Sequence, residues 1–304
     1  MFDIVSVGHL SIDSIFLHGK QAPFVVLGGS VAYASLAARR LESRVAVISK
    51  VGGDFPEAYR WWLSQEGIDL SRVTKVEKAQ TTRFELRYGS DLCERNLRLT
   101  GRAQAITVDD ISMPLRAGVI HVAPIAGEIT YEVADKLRSC ADVMSLDPQG
   151  LVRSFDENGN VALRPLDDKR LLELFKIYKS SLAEIQAVTG LSEIDSAVKA
   201  VHDHGVEVVL VTMGAKGAVL SSEGRKYSIP VCKSDKVIDP TGAGDAFVGG
   251  FLAEYVNGEN LCRCACVGSA VASLVVEAMG PTFFGDKETI YQRARLLYEK
   301  EIKE

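Results

Sequence analysis

Asp239-Pro240-Thr241-Gly242-Ala243-Gly244-Asp245 is the stretch around which the chain is organised. It follows Val237 and Ile238, read as the end of a strand, and opens a helix running from about Ala246 into Glu254. Three small residues at a helix start leave backbone N–H groups bare, and the helix dipole favours negative charge at the same spot. Asp245 follows at once. An anion cradle beside a carboxylate suits phosphoryl transfer to a hydroxyl. The cradle holds the migrating group and the carboxylate takes the hydroxyl's proton. The plainer alternative is that Gly-Ala-Gly only lets a helix pack close to a strand.

Length and composition bound the rest. The chain has 304 residues, 47% of them hydrophobic, enough for one large α/β domain or two smaller ones. The formal net charge is -5 and no Lys/Arg-rich block stands out, so a nucleic-acid partner gains no support. No apolar run reaches the roughly 18 residues that span a membrane. Met1-Phe2-Asp3-Ile4-Val5-Ser6-Val7 carries an acid and goes straight into strand, unlike a signal peptide, so a cytoplasmic protein is expected. The six cysteines are Cys93, Cys140, Cys232, Cys262, Cys264 and Cys266. On a helix only Cys262 and Cys266 of the last three share a face. No histidine lies near them and no CxxC occurs, so buried structural thiols are preferred over a metal site.

Taken in order, residues 2–9 read as a buried strand, and 14–17 with 23–27 as a hairpin around His18-Gly19-Lys20-Gln21. Ser30 can cap a helix in which Val31, Ala34, Ala38 and Leu41 recur at helical spacing. Residues 44–49 form a β-branched strand and 55–66 a helix that Gly67 stops. Thr82 to Tyr88 and Glu94 to Leu99 alternate around the turn Gly89-Ser90-Asp91. The two hairpins together predict a small antiparallel sheet with one polar face. Elsewhere the apolar strands are continuous, as in a parallel sheet buried on both sides. These lie at 118–122, 142–146, near Ile177 and at 206–212. Helices are expected near 129–139, 167–176, 181–189 and 193–204, with a polar loop at 156–160. Strands at 217–221 and 226–229 precede two long helices, 244–257 and 260–278, and a charged closing helix. The expected architecture is a single doubly wound three-layer α/β/α domain over 1–304. A small β-sheet lid is inserted at about 14–27 and 80–102.

There is no GxxxxGK[ST], no GxGxxG after a strand, no HRD and no HExxH. Five other features occur in order: Gly8 to Asp13, Gly28-Gly29 before a helix, Val51-Gly52-Gly53-Asp54, Thr212-Met213-Gly214-Ala215-Lys216-Gly217, and Asp239 to Asp245. In this combination the chain resembles the ribokinase-like (PfkB) family of carbohydrate and nucleoside kinases, from residue 3 to about 285. The resemblance implies ATP as co-substrate and Mg²⁺. It makes Asp245 the base and the amides of Gly242, Ala243 and Gly244 an anion hole, where preorganised donors contribute several kcal/mol. It implies that Asp239 supports a monovalent cation such as K⁺, with helix capping as the alternative. Asp13 resembles the sugar-hydroxyl ligand, against a cap or turn residue. Gly28 and Gly29 let backbone approach a substrate. Thr212, Gly214 and Gly217 resemble the nucleotide-side loop, and Ser269 falls near the adenine pocket by helix alignment.

The chain also departs from the family pattern. In Ser181-Leu182-Ala183-Glu184, Ser replaces the Asn of Asn-x-x-Glu, while Glu184 is kept and can organise Mg²⁺ through water. Tyr33 stands where Asn would bind sugar, and Ser30 where ribokinases carry Lys. Gly-Gly-Ser-Val-Ala-Tyr-Ala-Ser from Gly28 and the run Asp147-Pro148-Gln149-Gly150-Leu151-Val152-Arg153 are similar to the archaeal myo-inositol-kinase-like branch. The expected activity is ATP-dependent phosphorylation of a small sugar or polyol, myo-inositol-like first. A nucleoside or sugar-phosphate kinase, or a non-catalytic sensor on the same fold, are the alternatives. Arg83, Arg87, Arg95 and Arg98 are either a clamp for a phosphorylated substrate or, the preferred reading, the solvated face of a sheet. Pairing of the lid sheets between subunits would make a homodimer.

Overall fold

The computed structural model describes residues 1–90, 92, 95–234 and 236–301. The chain opens with β1 (Phe2–Val7), β2 (Ser11–Phe16), β3 (Phe24–Gly28), α1 (Ser30–Arg40), β4 (Val45–Gly52), α2 (Glu57–Gln65) and β5 (Asp69–Val76). Next come β6 (Thr82–Tyr88), β7 (Arg95–Gly101), β8 (Ala117–Val122), α3 (Tyr131–Arg138), β9 (Ala141–Leu146), β10 (Arg153–Phe155) and β11 (Val161–Leu163). They are followed by β12 (Ile177–Ser181), α4 (Leu182–Thr189), α5 (Ile194–His202), β13 (Val208–Thr212), β14 (Ala218–Ser222) and β15 (Arg225–Ile229). Helices α6 (Ala243–Tyr255), α7 (Leu261–Val275) and α8 (Lys287–Glu301) close the described chain.

The main sheet runs β15-β14-β13-β12-β9-β8-β1-β4-β5. From β13 to β5 it is parallel, and β14 and β15 are antiparallel additions. Helices α1, α6, α7 and α8 pack on one face and α3, α4 and α5 on the other, which is why the inner strands carry apolar residues on both sides. From β1 the chain builds outward in one direction through β4 and β5, and from β8 in the other through β9, β12 and β13. Such a reversal opens a crevice at the carboxyl ends of the strands.

Helix α6 is apolar all round and buried from Ala246 to Glu254, the signature of a core helix. Its glycines let two neighbours close on it. A Cβ at Gly249 would stand 2.3 Å from Ala34 O of α1, and one at Gly250 would stand 3.2 Å from the Gly268 backbone of α7. The helix is thereby fixed with its amino end at the crevice.

A second sheet of order β3-β2-β6-β7 stands over that crevice. Its two hairpins are antiparallel, but they join through β2 and β6 in parallel, so the expected wholly antiparallel sheet is corrected. Both central strands leave the main sheet in the same direction, which fixes this. The first piece also begins earlier, at Ser11.

Other expectations shift. Val237 and Ile238 are not strand; the amides of Ile238 and Asp239 bond to Val276 O beyond α7. Residues 169–174 form a 3₁₀ helix rather than an α-helix. The 156–160 loop is the tip of the hairpin β10/β11, closed by Asp156 accepting from the amides of Asn158 and Asn160. Strand β5 was not expected. Ser30 does not cap α1: Gly29 holds that position at φ 96, leaving the serine hydroxyl for another partner. Cys140, Cys232, Cys262, Cys264 and Cys266 are buried, while Cys93 and the predicted residues Asp91 and Glu94 lie outside the described residues. No helix among the described residues is long and apolar enough to cross a membrane.

The α1–α6 contact carries a prediction. Gly249→Ala must push α6 off α1 and is expected to lower unfolding free energy by about 1–3 kcal/mol, read by urea denaturation. An unchanged midpoint would show that the helices part without strain.

Candidate active site

The carboxyl ends of the parallel strands, the underside of the small sheet and the amino end of α6 surround one cleft of about 210 Å³. Its floor includes Ser30, Tyr33, Lys179, Thr212 and residues 240–245, and its roof includes Phe84, Leu86 and Leu97.

Asp245 sits in the first turn of α6. Its Oδ1 accepts from Ser30 Oγ at 2.5 Å and from Gln149 Nε2 at 3.1 Å. Both donors use one oxygen, so Oδ2 has no hydrogen-bond donor among the described residues, and Asp245 lines the cleft. Gly242 caps α6 at φ 76, a conformation glycine adopts without strain, and a Cβ there would lie 2.2 Å from the Tyr33 ring. The amides of Gly242 and Gly244 have no backbone partner among the described residues. The Ala243 amide donates weakly to Pro240 O at 3.3 Å. Two bare amides and the positive end of a buried helix make an anion site beside a carboxylate.

Tyr33 is 1% exposed and its hydroxyl has no hydrogen-bond partner among the described residues. Burial, reinforced by the charges of Asp239, Asp13 and Asp245, pushes its pKa well above the usual tyrosine value. It is a neutral phenol with a hydrogen bond to give at the cleft wall.

Asp13 on β2 is buried and accepts from Ser11 Oγ at 2.8 Å. Burial pushes its carboxyl up to about 7, against the opposing pull of the Ser11 hydroxyl and the Arg153 charge. Gly28 lies diagonally across on β3, where a Cβ would be 2.1 Å from Asp13 Oδ2. Gly29 meets His9 O, which a Cβ would approach to 2.4 Å.

A chain of side chains runs behind Asp245. Arg153 is buried, with Nη1 on Ile125 O at 3.0 Å and Nη2 on Gln149 Oε1 at 2.6 Å. That contact turns the Gln149 amide so that its N–H₂ faces Asp245. Lys179 is buried on β12 and bonds Asp147 Oδ2 at 2.6 Å.

The strand register sorts the four arginines. Tyr88 pairs with Arg95 on the cleft side, and Arg95 lines the cleft. Arg83 pairs with Asp54 at 2.7 Å, Arg87 with Glu85 at 3.2 Å, and Arg98 bonds Asn158 O at 2.9 Å, all on the outer side. The Tyr88 hydroxyl meets Thr241 Oγ1 at 2.8 Å, joining the small sheet to the anion loop.

Of the remaining sequence candidates, Thr212 and Glu184 line the cleft. Gly214 (φ 58) and Gly217 (φ 85) shape the turn after β13. Ser269 is buried, donating to Pro230 O and accepting from Cys232 N, both at 2.9 Å, and does not line the cleft. Glu184 Oε2 accepts from Ser181 N at 2.7 Å, a capping box that uses the serine standing in place of asparagine. Asp239 is buried with its two oxygens on the amides of Thr241 and Gly280, both at 2.9 Å, so it pins the anion loop to the segment after α7.

Sequence reading missed Gln149 and Ser30 as the donors to Asp245, Arg153 as the residue that holds Gln149, and Lys179 altogether. A lysine inside Ile177-Tyr178-Lys179-Ser180-Ser181, an otherwise buried strand, was the available signal for the last.

Comparison with known proteins fits this geometry. The model of the pfkB family of carbohydrate kinases matches residues 1–288. A cytidine kinase from Thermococcus kodakarensis is 29% identical over 285 residues, covering 92% of this chain and 98% of that protein. An inositol 3-kinase from Arabidopsis thaliana is 27% identical over 292 residues, covering 92% and 76%. Among solved structures, a pyrophosphate-dependent kinase of the ribokinase family superposes with a TM-score of 0.80 at 25% identity, covering 91% of this chain and 96% of that one.

The Asp13 environment predicts a pH effect. Its carboxyl titrates near 7 in the fold against about 3.8 in the unfolded chain. The unfolded state therefore releases the proton first, and the stability contributed by the protonated form is lost as pH rises toward 7. Between pH 5 and pH 8 the wild type should lose about 2.5 kcal/mol of unfolding free energy relative to Asp13→Asn. Parallel stability curves for the two proteins would contradict it.

Proposed function

The chain belongs to the pfkB family of carbohydrate kinases, and from that membership we propose that it transfers a phosphoryl group from ATP to a hydroxyl of a small polyol, with myo-inositol the first candidate. The observation that carries the reading is the Asp245 carboxylate, oriented through Oδ1 alone, beside the bare amides at the start of α6. The acceptor lies under the small sheet, which acts as a lid, with one hydroxyl on Asp13 and the Tyr33 phenol donating to another oxygen. The apolar roof excludes water, which limits transfer of the phosphoryl group to water. Asp245 Oδ2 accepts the proton of the attacking hydroxyl while the α6 amides hold the equatorial oxygens of the migrating group.

Mg²⁺ fits the residues present. Glu184 faces the cleft with one carboxylate oxygen outside its capping box. One carboxylate acting through water, completed by donor phosphates, is a common Mg²⁺ arrangement. When bound, the ion supplies charge neutralisation between those phosphates. Thr212 and the Gly214–Gly217 turn flank the donor's path.

A nucleoside kinase is the second reading, favoured by the cytidine kinase among the relatives. A coupled screen decides between them. Wild type is assayed with ATP or pyrophosphate as donor, with and without K⁺, over myo-inositol, ribose, cytidine and sugar phosphates. Turnover with cytidine and none with myo-inositol would reverse the order. No transfer from either donor would leave only a sensor. With the acceptor found, Asp245→Asn should lower kcat on the order of 10²–10⁴-fold while calorimetry shows ATP affinity retained. Near-wild-type turnover would remove Asp245 as the base.

A further inference from the structure

Lys179 is a lysine in the middle of a nine-stranded sheet. Its side chain is 5% exposed and that of its partner Asp147 is 0% exposed. Withdrawing both charges from water costs several kcal/mol per ion, and apolar side chains of similar volume serve a core as well or better. Stability therefore gives no reason for the pair, and position does. A Cβ at Gly244 would lie 3.0 Å from Lys179 Nζ, so the ammonium rests against the first turn of α6. Lys179, Thr212, Glu184 and Gly244 line the same cleft.

The charge is secure. Burial works against the ammonium, but the carboxylates of Asp147, Asp245 and Glu184 outweigh it and hold the lysine pKa above its usual range. Of its three N–H groups, one is spent on Asp147. Asp147 is itself held, its Oδ1 accepting from the amide of Gln149 at 3.2 Å.

We propose that Lys179 is a catalytic residue that donates to an equatorial oxygen of the migrating phosphoryl group, and that Asp147 is a positioning residue that keeps the ammonium at Gly244. The inference rests on the phosphotransferase reading above. In the transfer, the acceptor oxygen forms its bond to phosphorus as the bond to the donor's bridging oxygen breaks. That electron pair leaves with the donor, and the acceptor proton passes to Asp245. Lys179 keeps its proton throughout and balances charge that the two amides alone share unequally with the Ala243 N–H, which is turned to Pro240. A fixed donor of this kind adds most where charge is spread over the equatorial oxygens.

The test compares wild type, Asp147→Asn, Lys179→Met and the double variant Lys179→Met/Asp147→Asn, which leaves no unpaired buried charge. Assays use ATP and the acceptor from the screen, and each melting temperature is recorded. Lys179→Met and the double variant should lose about 10²–10³-fold in kcat with the acceptor KM within about threefold of wild type. Asp147→Asn, which keeps the ammonium but loosens it, should lose less. A double variant that melts near wild type and keeps its kcat overturns the inference alone. So does a loss that tracks only the fraction folded. An inactive wild type overturns the phosphotransferase reading and this inference with it.

Discussion

The approach of α6 to α1 and α7, close enough that Gly249 admits no side chain and Gly250 leaves little room for one, is the constraint on which the cleft depends. A helix held on all sides cannot tilt, so its amino end is a fixed electrostatic object rather than a flexible one. The residues around that end are then positioned by the sheet. Lys179 comes from β12, Thr212 from β13, Asp147 and Gln149 from the segment after β9, and Ser30 from α1. Polar groups placed on rigid elements need no reorganisation when charge develops beside them.

The same cleft concentrates buried polar chemistry that would be a liability elsewhere. Asp13, Asp147, Asp239, Lys179 and Arg153 are all buried. Each is hydrogen-bonded: Asp13 to a serine hydroxyl, Asp147 and Lys179 to one another, Asp239 to two amides, and Arg153 to Ile125 O and Gln149 Oε1. Arg153 acts on Asp245 at one remove, fixing the Gln149 amide and through it one oxygen of Asp245. Against this background the Tyr33 hydroxyl stands out as a buried donor at the cleft wall with no partner among the described residues.

Much of this was legible in the sequence. Continuous apolar strands announced the parallel sheet, and period-2 alternation in Thr82 to Tyr88 announced the second one, because each pattern records how many faces are covered. Gly242 to Asp245 announced the bare amides at the start of α6 because backbone chemistry and helix direction are local properties. What stayed hidden was long-range. Gln149 and Ser30 are separated from Asp245 by 96 and 215 positions, so their shared oxygen is a fact of topology. The parallel joint between β2 and β6 depends on where two hairpins leave the core. Strand β5, half-buried at the sheet edge, has too irregular an apolar pattern to declare itself. Ser269 shows the opposite limit: its place along α7 was readable, but the loop that occupies its hydroxyl was not.

One contact has a consequence for how such a protein diversifies. Asp13 and Gly28 lie diagonally across the β2–β3 pair, so close that a Cβ at 28 would overlap the carboxylate as it is placed. The two positions are therefore not independent variables. A lineage that keeps an acid at 13 is held to glycine at 28. One that abandons the acid is released at both, and can fill the vacated space with a new side chain. Change at this end of the cleft should then proceed in a fixed order, the acid at 13 giving way before a side chain appears at 28.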